Sequence, residues 1–210
     1  MAPASVAPAT VAPEDLASEA LASEALAPEA LAPESLTPAG SAWLETPLGP
    51  MLAVASDSAL LLLEFETRRG LTESLERLGR RYRIGAVRPS PIASIERELA
   101  AYFAGELREF NTPLENHGTP FQVGVWRELQ RVLAGATVSY LELATAVGNP
   151  RGVRAVAQAN GANRLAVVVP CHRVIESSGG LGGYGAGTEV KRRLLEHERA
   201  AFGAEAGRLF

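Results

Sequence analysis

The sequence predicts an α+β/α fold in which a small N-terminal α/β domain with an antiparallel sheet precedes a mostly helical C-terminal domain. Residues 42–66 alternate short apolar runs with turn signals, which is typical of antiparallel strands. From Thr119 onward the apolar residues recur at helical spacing instead. The C-terminal domain combines a predicted helix-turn-helix with a loop around Cys171, which we expect to be the active-site loop.

Residues 1–40 precede both domains and are predicted to form a disordered acidic tail. They contain six acidic residues and no basic residue. A five-residue repeat begins at Leu16 and reads LASEA-LASEA-LAPEA-LAPES. Its leucines would rotate around a helix instead of forming one stripe, and its prolines would break that helix. We interpret this tail as a low-complexity extension without a specific partner.

Residues 41–117 are predicted to form the N-terminal α/β domain. After the strands, helical patterns occupy residues 71–83 and 92–104, and the second follows the break at Pro89-Ser90-Pro91. No residue pattern in this domain is typical of catalysis. We therefore expect it to support the C-terminal domain.

Residues 118–203 are predicted to form the C-terminal domain, and residues 204–210 a short C-terminal tail. The first helix of this domain begins at Thr119 and its apolar pattern ends at Gly135. Ser139, followed three residues later by Glu142, has the pattern of a capping box and predicts a short helix from Tyr140.

This short helix is predicted to end at Gly148-Asn149-Pro150, and another begins at about Arg151. Two short helices joined by a tight turn, the second with arginines in its first turns, have the pattern of a helix-turn-helix. An ordinary helical hairpin fits the same pattern, because alanine-rich helix faces are common packing surfaces.

The composition restricts the class of protein. At 47% hydrophobic residues the chain can bury a core. No apolar run reaches the about 18 residues of a membrane helix, and the first residues lack the pattern of a signal peptide, so we expect a cytoplasmic protein. A single cysteine and three histidines exclude an intrachain disulfide and a cysteine-rich zinc cluster. We expect no metal and no cofactor.

The formal charge changes along the chain. The chain as a whole has a net charge of −4, but residues 119–210 contain seven acidic and eleven basic residues. The part of the chain that carries the cysteine is therefore basic. This distribution leaves a polyanionic partner possible for the C-terminal domain.

The stretch VVVPCHRVI, residues 167–175, carries the only cysteine of the chain. Pro170 ends the apolar run, so Cys171 is expected at a turn where its sulfur can face a cavity. The charges of Arg173 and of protonated His172 would favour the thiolate. Because His172 directly follows the thiol, we expect a proton to pass between them through a water. A small buried cysteine that only packs is the alternative.

Two further patterns follow the cysteine. The glycine-rich run 179–187, with Tyr184 near its centre, offers backbone N–H groups for a ligand, or forms a flexible hairpin. Thr188 is predicted to cap the last helix, on which Lys191 and Glu198 lie on one face with Leu194 and Leu195 between them. Lys191 is the only lysine among twenty basic residues, which favours a specific role over an ordinary helix end.

These motifs together resemble the methylated-DNA protein-cysteine methyltransferases, also called O(6)-alkylguanine-DNA alkyltransferases. The resemblance is close over residues 118–199 and looser over 42–199, and PCHRV in this order of motifs is specific to the family. It implies a DNA repair protein that binds double-stranded DNA through the minor groove and flips O(6)-alkylguanine, or O(4)-alkylthymine, out of the duplex. The alkyl group would pass irreversibly to Cys171, once per molecule. We expect the protein to act as a monomer.

The resemblance also implies a role for each matching residue. Cys171 corresponds to the alkyl acceptor, His172 to the base that acts through water, and Glu198 to the carboxylate that orients this histidine. Tyr140 corresponds to the donor to guanine N3. Lys191 corresponds to a pocket residue beside the thiol.

The substrate-binding and DNA-binding set is carried over in the same way. Arg154 corresponds to the finger that fills the position of the flipped base, and Asn163 to the residue that fixes the turn before the active-site motif. Val174 and Gly185 correspond to main-chain contacts with guanine. The set is completed by two residues near the thiol, Tyr184 and Arg173.

Two positions depart from the family pattern. Arg164 stands where many members have proline, and Ala157 where many have glycine. The zinc-binding cysteines of the fused adaptive-response regulators are absent from the sequence, so we expect repair without self-induced transcription. Two other functions remain as alternatives: a noncatalytic lesion-binding protein on the same fold, which would lack the acceptor cysteine, and a cysteine hydrolase that uses His117.

Overall fold

The N-terminal part is a four-stranded sheet with two helices. A computed structural model describes residues 36–85 and 89–203, so the predicted tails fall almost wholly outside the described residues. The strands are β1 (Thr37–Leu44), β2 (Met51–Ala55), β3 (Leu60–Phe65) and β4 (Tyr82–Gly85), and the helices are α1 (Leu71–Gly79) and α2 (Ser90–Phe103). The predicted class, a small sheet domain followed by a mostly helical domain, is confirmed.

The sheet is mixed, and not wholly antiparallel as the sequence predicts. Its order is β3-β2-β1-β4; β2 runs antiparallel to both neighbours, whereas β4 runs parallel to β1. The chain passes through α1 between β3 and β4, and a helical connection of this kind allows the returning strand to run parallel to β1. The turn signals in residues 42–66 predict only the antiparallel part.

Two predicted boundaries also differ from the structure. The helix predicted over 71–83 ends at Gly79, and Tyr82 already belongs to β4, where its ring is buried against the sheet. The strand β1 begins at Thr37, inside the segment assigned to the tail, because Thr37 pairs with Tyr82. Both differences come from a pairing across more than forty residues, which no local pattern shows.

The C-terminal part contains four helices and a short two-stranded sheet. The helices are α3 (Pro120–Leu129), α4 (Tyr140–Ala146), α5 (Val153–Gly161) and α6 (Thr188–Phe202), and the strands are β5 (Val138–Ser139) and β6 (Val174–Ile175). A 3-10 turn, Cys171–Arg173, directly precedes β6. Helices α4 and α5 pack together in the positions predicted for the helix-turn-helix.

Helix ends in this part follow local chemistry closely. The predicted capping box of Ser139 and Glu142 is confirmed, and Thr119 forms a second one with Gln122 at the start of α3. The predicted cap at Thr188 is wrong: Gly187 is the N-cap residue of α6, and no side chain caps this end. Gly187 has a φ of 97°, so a backbone turn that favours glycine sets the entry into α6.

One hydrophobic core joins the sheet to the segment that carries the cysteine. It includes Leu63 and Phe65 of β3, Val169, Cys171 and Leu194 of α6. The backbone of Leu63 also donates to Arg164 O at 2.9 Å and accepts from Ala166 N at 2.8 Å. The sheet therefore braces the chain that leads to Cys171. Within the described ranges, no helix is long and apolar enough to cross a membrane.

Candidate active site

Cys171 lies at the end of a tight backbone turn. The turn begins after Val167, which has a φ of 71° and is the one described residue other than glycine with a positive φ. A β-branched residue in this conformation costs on the order of 1–3 kcal/mol, which the surrounding contacts must offset. Backbone bonds from Val169 N to Leu165 O and from Cys171 N to Val169 O, both 2.8 Å, hold the turn. The side chain of Cys171 is consequently buried.

Asn163 holds both this turn and the sulfur. Its Oδ1 accepts from Leu165 N at 3.0 Å, and its Nδ2 donates to Val169 O at 2.8 Å. The same Nδ2 lies 3.1 Å from Cys171 Sγ. The position agrees with the role expected for Asn163 at the turn and adds a direct hydrogen bond to the sulfur.

The thiol is not ionised on its own at neutral pH. Burial raises the pKa of Cys171 to about 11, against the opposing effect of the Asn163 hydrogen bond. The charge of Lys191 also lowers this pKa, whereas Arg173, expected to do so, points elsewhere. Alkyl transfer at this sulfur therefore needs a base close by.

His172 has the features of that base. Its Nε2 lies 2.9 Å from Glu198 Oε1, and both side chains are fully buried. Because a carboxylate only accepts, Nε2 carries the proton and Nδ1 is left as a bare acceptor. Nδ1 has no hydrogen-bond partner among the described residues. Burial lowers the pKa of His172 in spite of the nearby carboxylate, so the ring is neutral before the reaction.

Glu198 is the centre of a dense hydrogen-bond network. Arg173 donates to it through Nε, at 3.0 and 3.1 Å, and through Nη2 at 2.7 Å. Tyr102 Oη donates at 2.8 Å and Gly135 N at 3.1 Å. Burial alone would raise the pKa of Glu198, but His172 and Arg173 outweigh it and hold this pKa well below its usual range. The carboxylate is therefore ionised at neutral pH.

Two features of this network differ from the sequence prediction or were missed by it. Arg173, assigned to the substrate-binding and DNA-binding set, is buried and bonded to Glu198 and to Val132 O, so it does not face DNA. The neighbouring side chains of His172 and Arg173 both bond to Glu198, whose charge attracts the guanidinium. Tyr102 comes from α2, in the other part of the chain, where the sequence gives no catalytic signal.

Lys191 joins the active-site segment to the glycine-rich run. Its Nζ donates to Val174 O at 2.6 Å and to Leu181 O, and its side chain is fully buried. Burial lowers the pKa of Lys191 to about 8, although the thiol and Glu176 act in the opposite direction. The Val174 carbonyl, expected to contact guanine, is thus already bonded to Lys191.

Two tyrosines lie near the thiol. Tyr140 begins α4 and is half-buried, and burial followed by the effect of Cys171 raises its pKa, so its hydroxyl stays a donor. The Tyr184 hydroxyl is buried without a hydrogen-bond partner among the described residues. Burial raises the pKa of Tyr184 well above its ordinary value. Both hydroxyls keep their protons at neutral pH.

Helix α5 supplies one exposed and one buried polar residue. Arg154, in its first turn, is exposed, as a residue that reaches into DNA must be. Asn160, near the end of the helix, is buried, and its Nδ2 lies 3.4 Å from Cys171 O. The sequence analysis did not single out Asn160. Its signal is a polar residue on the otherwise apolar buried face that contains Val156 and Ala159.

Arg68 is a further residue near the site that the sequence analysis missed. Its Nη2 donates to Gly161 O at the end of α5, at 3.0 Å. Its Nη1 packs so closely on Gly185 that a Cβ there would lie 2.2 Å away. Its Nε is 3.0 Å from Glu64 Oε1, although neither atom has a hydrogen bond among the described residues. Arg68 therefore joins the sheet to the end of α5 and to the glycine-rich run.

Metal ligands are not grouped in the described part of the chain. No cluster of three or more histidine, cysteine, aspartate or glutamate side chains there could hold a metal ion. The side chains of Cys171, His172 and Glu198 provide a thiol, an imidazole and a carboxylate. Such a set of groups can transfer one proton and carry out one nucleophilic attack.

Comparison with known proteins gives consistent matches. Residues 120–200 match the family model described as 6-O-methylguanine DNA methyltransferase, DNA binding domain, and residues 41–116 match the model described as its ribonuclease-like domain. The methylated-DNA–protein-cysteine methyltransferase of Mycolicibacterium paratuberculosis is 45% identical over 162 residues, which cover 74% of this chain and 90% of that protein. The constitutive protein of that name from Bacillus subtilis is 48% identical over 112 residues, covering 53% and 68%.

A solved structure supports the same relation. The crystal structure of Mycobacterium tuberculosis OGT in complex with DNA superimposes with a TM-score of 0.67 at 38% sequence identity. The match covers 78% of this chain and 94% of that one.

Proposed function

The chain belongs to the family of methylated-DNA–protein-cysteine methyltransferases, and from this premise we propose that it repairs DNA by transferring the alkyl group of O(6)-alkylguanine to its own Cys171. The observation that carries the proposal is the pair formed by a buried thiol and the unpartnered Nδ1 of His172, with Glu198 on the opposite ring nitrogen. A carboxylate that is ionised at neutral pH makes this imidazole a base without protonating it in advance.

Proton transfer precedes or accompanies attack. The thiol proton moves to His172 Nδ1, and because the two residues are adjacent in the chain we assign a bridging water to this step. The imidazolium that forms lies against Glu198, whose negative charge stabilises it. Burial, with a smaller contribution from the charge of Arg173, lowers the pKa of His172 and so keeps the ring neutral until the thiol gives up its proton.

Alkyl transfer is then a single displacement. The thiolate attacks the alkyl carbon in line with the carbon–oxygen bond to guanine; the carbon–sulfur bond forms as the carbon–oxygen bond breaks. Guanine leaves with the electron pair and regains one proton. Donation from the hydroxyl of Tyr140 to guanine N3 would offset the developing charge, and the raised pKa of Tyr140 keeps that proton available.

Cys171 is consumed by this reaction. The product is a thioether, and the chain has one cysteine, so no second thiol can release the alkyl group. Each molecule accepts one alkyl group. A thiol that must stay reduced until it is used also supports the cytoplasm as the compartment, because disulfide-forming environments would oxidise it.

We assign DNA binding to the pair α4 and α5. The flipped base would leave the duplex through the minor groove and enter a pocket between Tyr140 and the glycine-rich run. The exposed Arg154 would fill the space that this base leaves in the duplex. Arg154→Ala is expected to slow repair of duplex DNA about tenfold or more and to leave alkylation by the free base O(6)-methylguanine unchanged. Equal losses on both substrates would remove this role.

The alternatives have less support. A noncatalytic lesion binder has no use for an acceptor thiol with a base beside it. A hydrolase with His117 as its base does not fit either: His117 Nδ1 lies 3.3 Å from Arg81 Nη1 and its Nε2 3.4 Å from Tyr82 Oη, and it lines a cavity that does not include Cys171.

The deciding experiment is the mass of the intact protein and of its peptides after incubation with excess duplex that contains O(6)-methylguanine. We expect one methyl group on Cys171, saturating at one equivalent, and none on Cys171→Ala. Binding of the duplex without any adduct on the native protein would instead identify a lesion sensor and overturn the transfer reaction.

A further inference from the structure

The cavity that His117 lines lies away from Cys171 and contains none of the residues assigned to the transfer reaction. It measures about 550 Å3 and is bounded by α1, by the segment that leads into α3, and by the chain just after α5. The guanidinium groups that line it belong to Arg77, Arg80, Arg81 and Arg164. Segments from both halves of the described chain therefore place positive charges in this cavity.

None of these guanidinium groups forms an ion pair with a carboxylate among the described residues. The side chains of Arg77, Arg80 and Arg164 make no hydrogen bond or ion pair with any described residue, although the carboxylates of Glu64 and Glu73 act on the pKa of Arg164 from nearby. Arg81 contacts only the ring of His117, at 3.3 Å. Glu115, the one carboxylate in the lining, already accepts a hydrogen bond from Tyr82 Oη at 2.7 Å. The four cations thus share one carboxylate in the lining, which is already engaged, while Glu64 and Glu73 act on Arg164 from outside the lining.

The cavity confines one of these charges. Arg164 is half-buried, and its pKa is lowered by burial and then by the neighbouring Arg77 and Arg68. An anion placed between Arg77 and Arg164 would relieve this repulsion.

Part of the remaining lining is apolar, alongside several polar side chains. Leu61, Leu78, Leu165 and Trp126 are nearly fully buried and form one wall. The volume is larger than an inorganic phosphate needs and falls in the range of small-molecule sites. A flat, largely apolar group attached to an anion fits the combination of apolar wall and cationic rim.

The geometry points to a nucleotide-binding site in this cavity: a phosphate group held between Arg77 and Arg164, with the sugar and base against the wall of Leu78, Leu165 and Trp126. The phosphate comes either from a free nucleotide or from a nucleotide unit of a DNA strand. The site does not depend on the transfer reaction, because no residue of the Cys171 network lines it.

The test uses the full-length protein and the double variant Arg77→Gln/Arg164→Gln. Arg83→Gln is the matched control, because Arg83 is exposed on β4 and lies outside the cavity. In the first arm, calorimetry compares deoxyadenosine monophosphate with deoxyadenosine. In the second arm, binding of unmodified duplex DNA is measured at several salt concentrations.

A free-nucleotide site predicts that the native protein binds the monophosphate more tightly than the nucleoside, and that the double variant loses about tenfold or more in affinity. A DNA-strand site predicts that the monophosphate binds weakly, while the salt dependence of duplex binding falls by about one unit of slope per lost phosphate contact. In both cases Arg83→Gln behaves like the native protein.

Two results would overturn the proposal: equal binding of nucleoside and monophosphate without any change in the salt dependence, or equal behaviour of the double variant and Arg83→Gln. The unfolding temperature of the double variant should not fall, since it removes unpaired like charges. If it does fall, the exposed single variant Arg80→Gln provides the same comparison. Alkylation of Cys171 by free O(6)-methylguanine stays unchanged throughout, which separates this site from the transfer reaction.

Discussion

Two buried glutamates, Glu198 on α6 and Glu64 on β3, have opposite ionisation behaviour in the same molecule. Both side chains are almost fully inaccessible to water. The pKa of Glu198 lies well below its usual range, whereas burial raises the pKa of Glu64 to about 8 despite the charges of Arg68 and Arg164.

The difference lies in the donors around each carboxylate. Glu198 receives hydrogen bonds from His172, Arg173, Tyr102 and the backbone of Gly135. Glu64 has one close cation, and its Oε1 has no aligned donor. Burial therefore sets the cost of ionisation for both, and directed hydrogen bonds decide whether the charge survives. Glu198, beside the base His172, therefore stays ionised at neutral pH, whereas Glu64, in the sheet, has a pKa of about 8 and titrates near it.

The largest expected effect comes from Glu198→Gln. The amide cannot offset the charge of Arg173, which stays buried, so the free energy of unfolding should fall by about 3–5 kcal/mol. His172 also loses the charge that stabilises its imidazolium, and alkyl transfer should slow by about 100-fold or more. Urea unfolding and single-turnover transfer rates measure the two effects, at a temperature where the variant is folded.

Glu196→Gln is the matched control, because Glu196 lies on the same helix but is exposed and pairs with Arg192. This change should cost less than about 1 kcal/mol and leave transfer unchanged. An unaltered transfer rate in Glu198→Gln would show that His172 does not need the carboxylate.

A smaller effect is expected from pH acting on Glu64. Its folded pKa is raised above the ordinary value of 4.5, so its contribution to stability is fully present below that value and is lost as pH rises toward about 8. Glu198, with its lowered pKa, contributes in the opposite direction: its stabilisation is present above 4.5 and is lost in acid. The two carboxylates thus change the free energy of unfolding in opposite directions as the pH rises.

Unfolding free energies at pH 5 and pH 8 should separate them. Between these values the native protein should lose on the order of 2 kcal/mol more than Glu64→Gln, whose amide does not titrate. Parallel pH curves for the two proteins would mean that Glu64 is ionised throughout and that Arg68 compensates its burial fully.

The smallest expected effect tests the contact that ties Arg68 to the glycine-rich run. Gly185→Ala places a Cβ against Arg68 Nη1, so it should slow repair of duplex DNA several-fold by displacing the run or the guanidinium. In the Arg68→Ala background the same change meets no guanidinium and should have little effect. Transfer rates of the four proteins form a double-mutant cycle, and additive losses would show that the contact does not matter.

The sequence predicts the local parts of this molecule well and the long-range parts poorly. The capping box at Ser139, the helix that carries Lys191 and Glu198, and the turn at Cys171 follow from neighbouring residues. The parallel pairing of β4 joins segments far apart in the chain, so no local period reveals it.

The same distinction applies within the site. The positions of Cys171, His172 and Glu198 follow from the motif and from helix spacing, but the direction of Arg173 depends on its hydrogen bonds to Glu198 and to Val132 O, which are distant in the chain. Tyr102 and Arg68 belong to the other half of the chain and enter the site only after the two halves pack. Their sequence neighbourhoods resemble ordinary amphipathic helix and strand ends.

The bond from Trp126 Nε1 to Ala159 O, 2.8 Å long, gives the molecule an optical consequence. It joins α3 to the end of α5, the helix assigned to DNA. The chain has one other tryptophan, Trp43, which is half exposed on β1. In Trp43→Phe the remaining tryptophan emission would come from Trp126, a buried indole that is hydrogen-bonded to α5. A displacement of α5 would then change the fluorescence of the protein without any attached label.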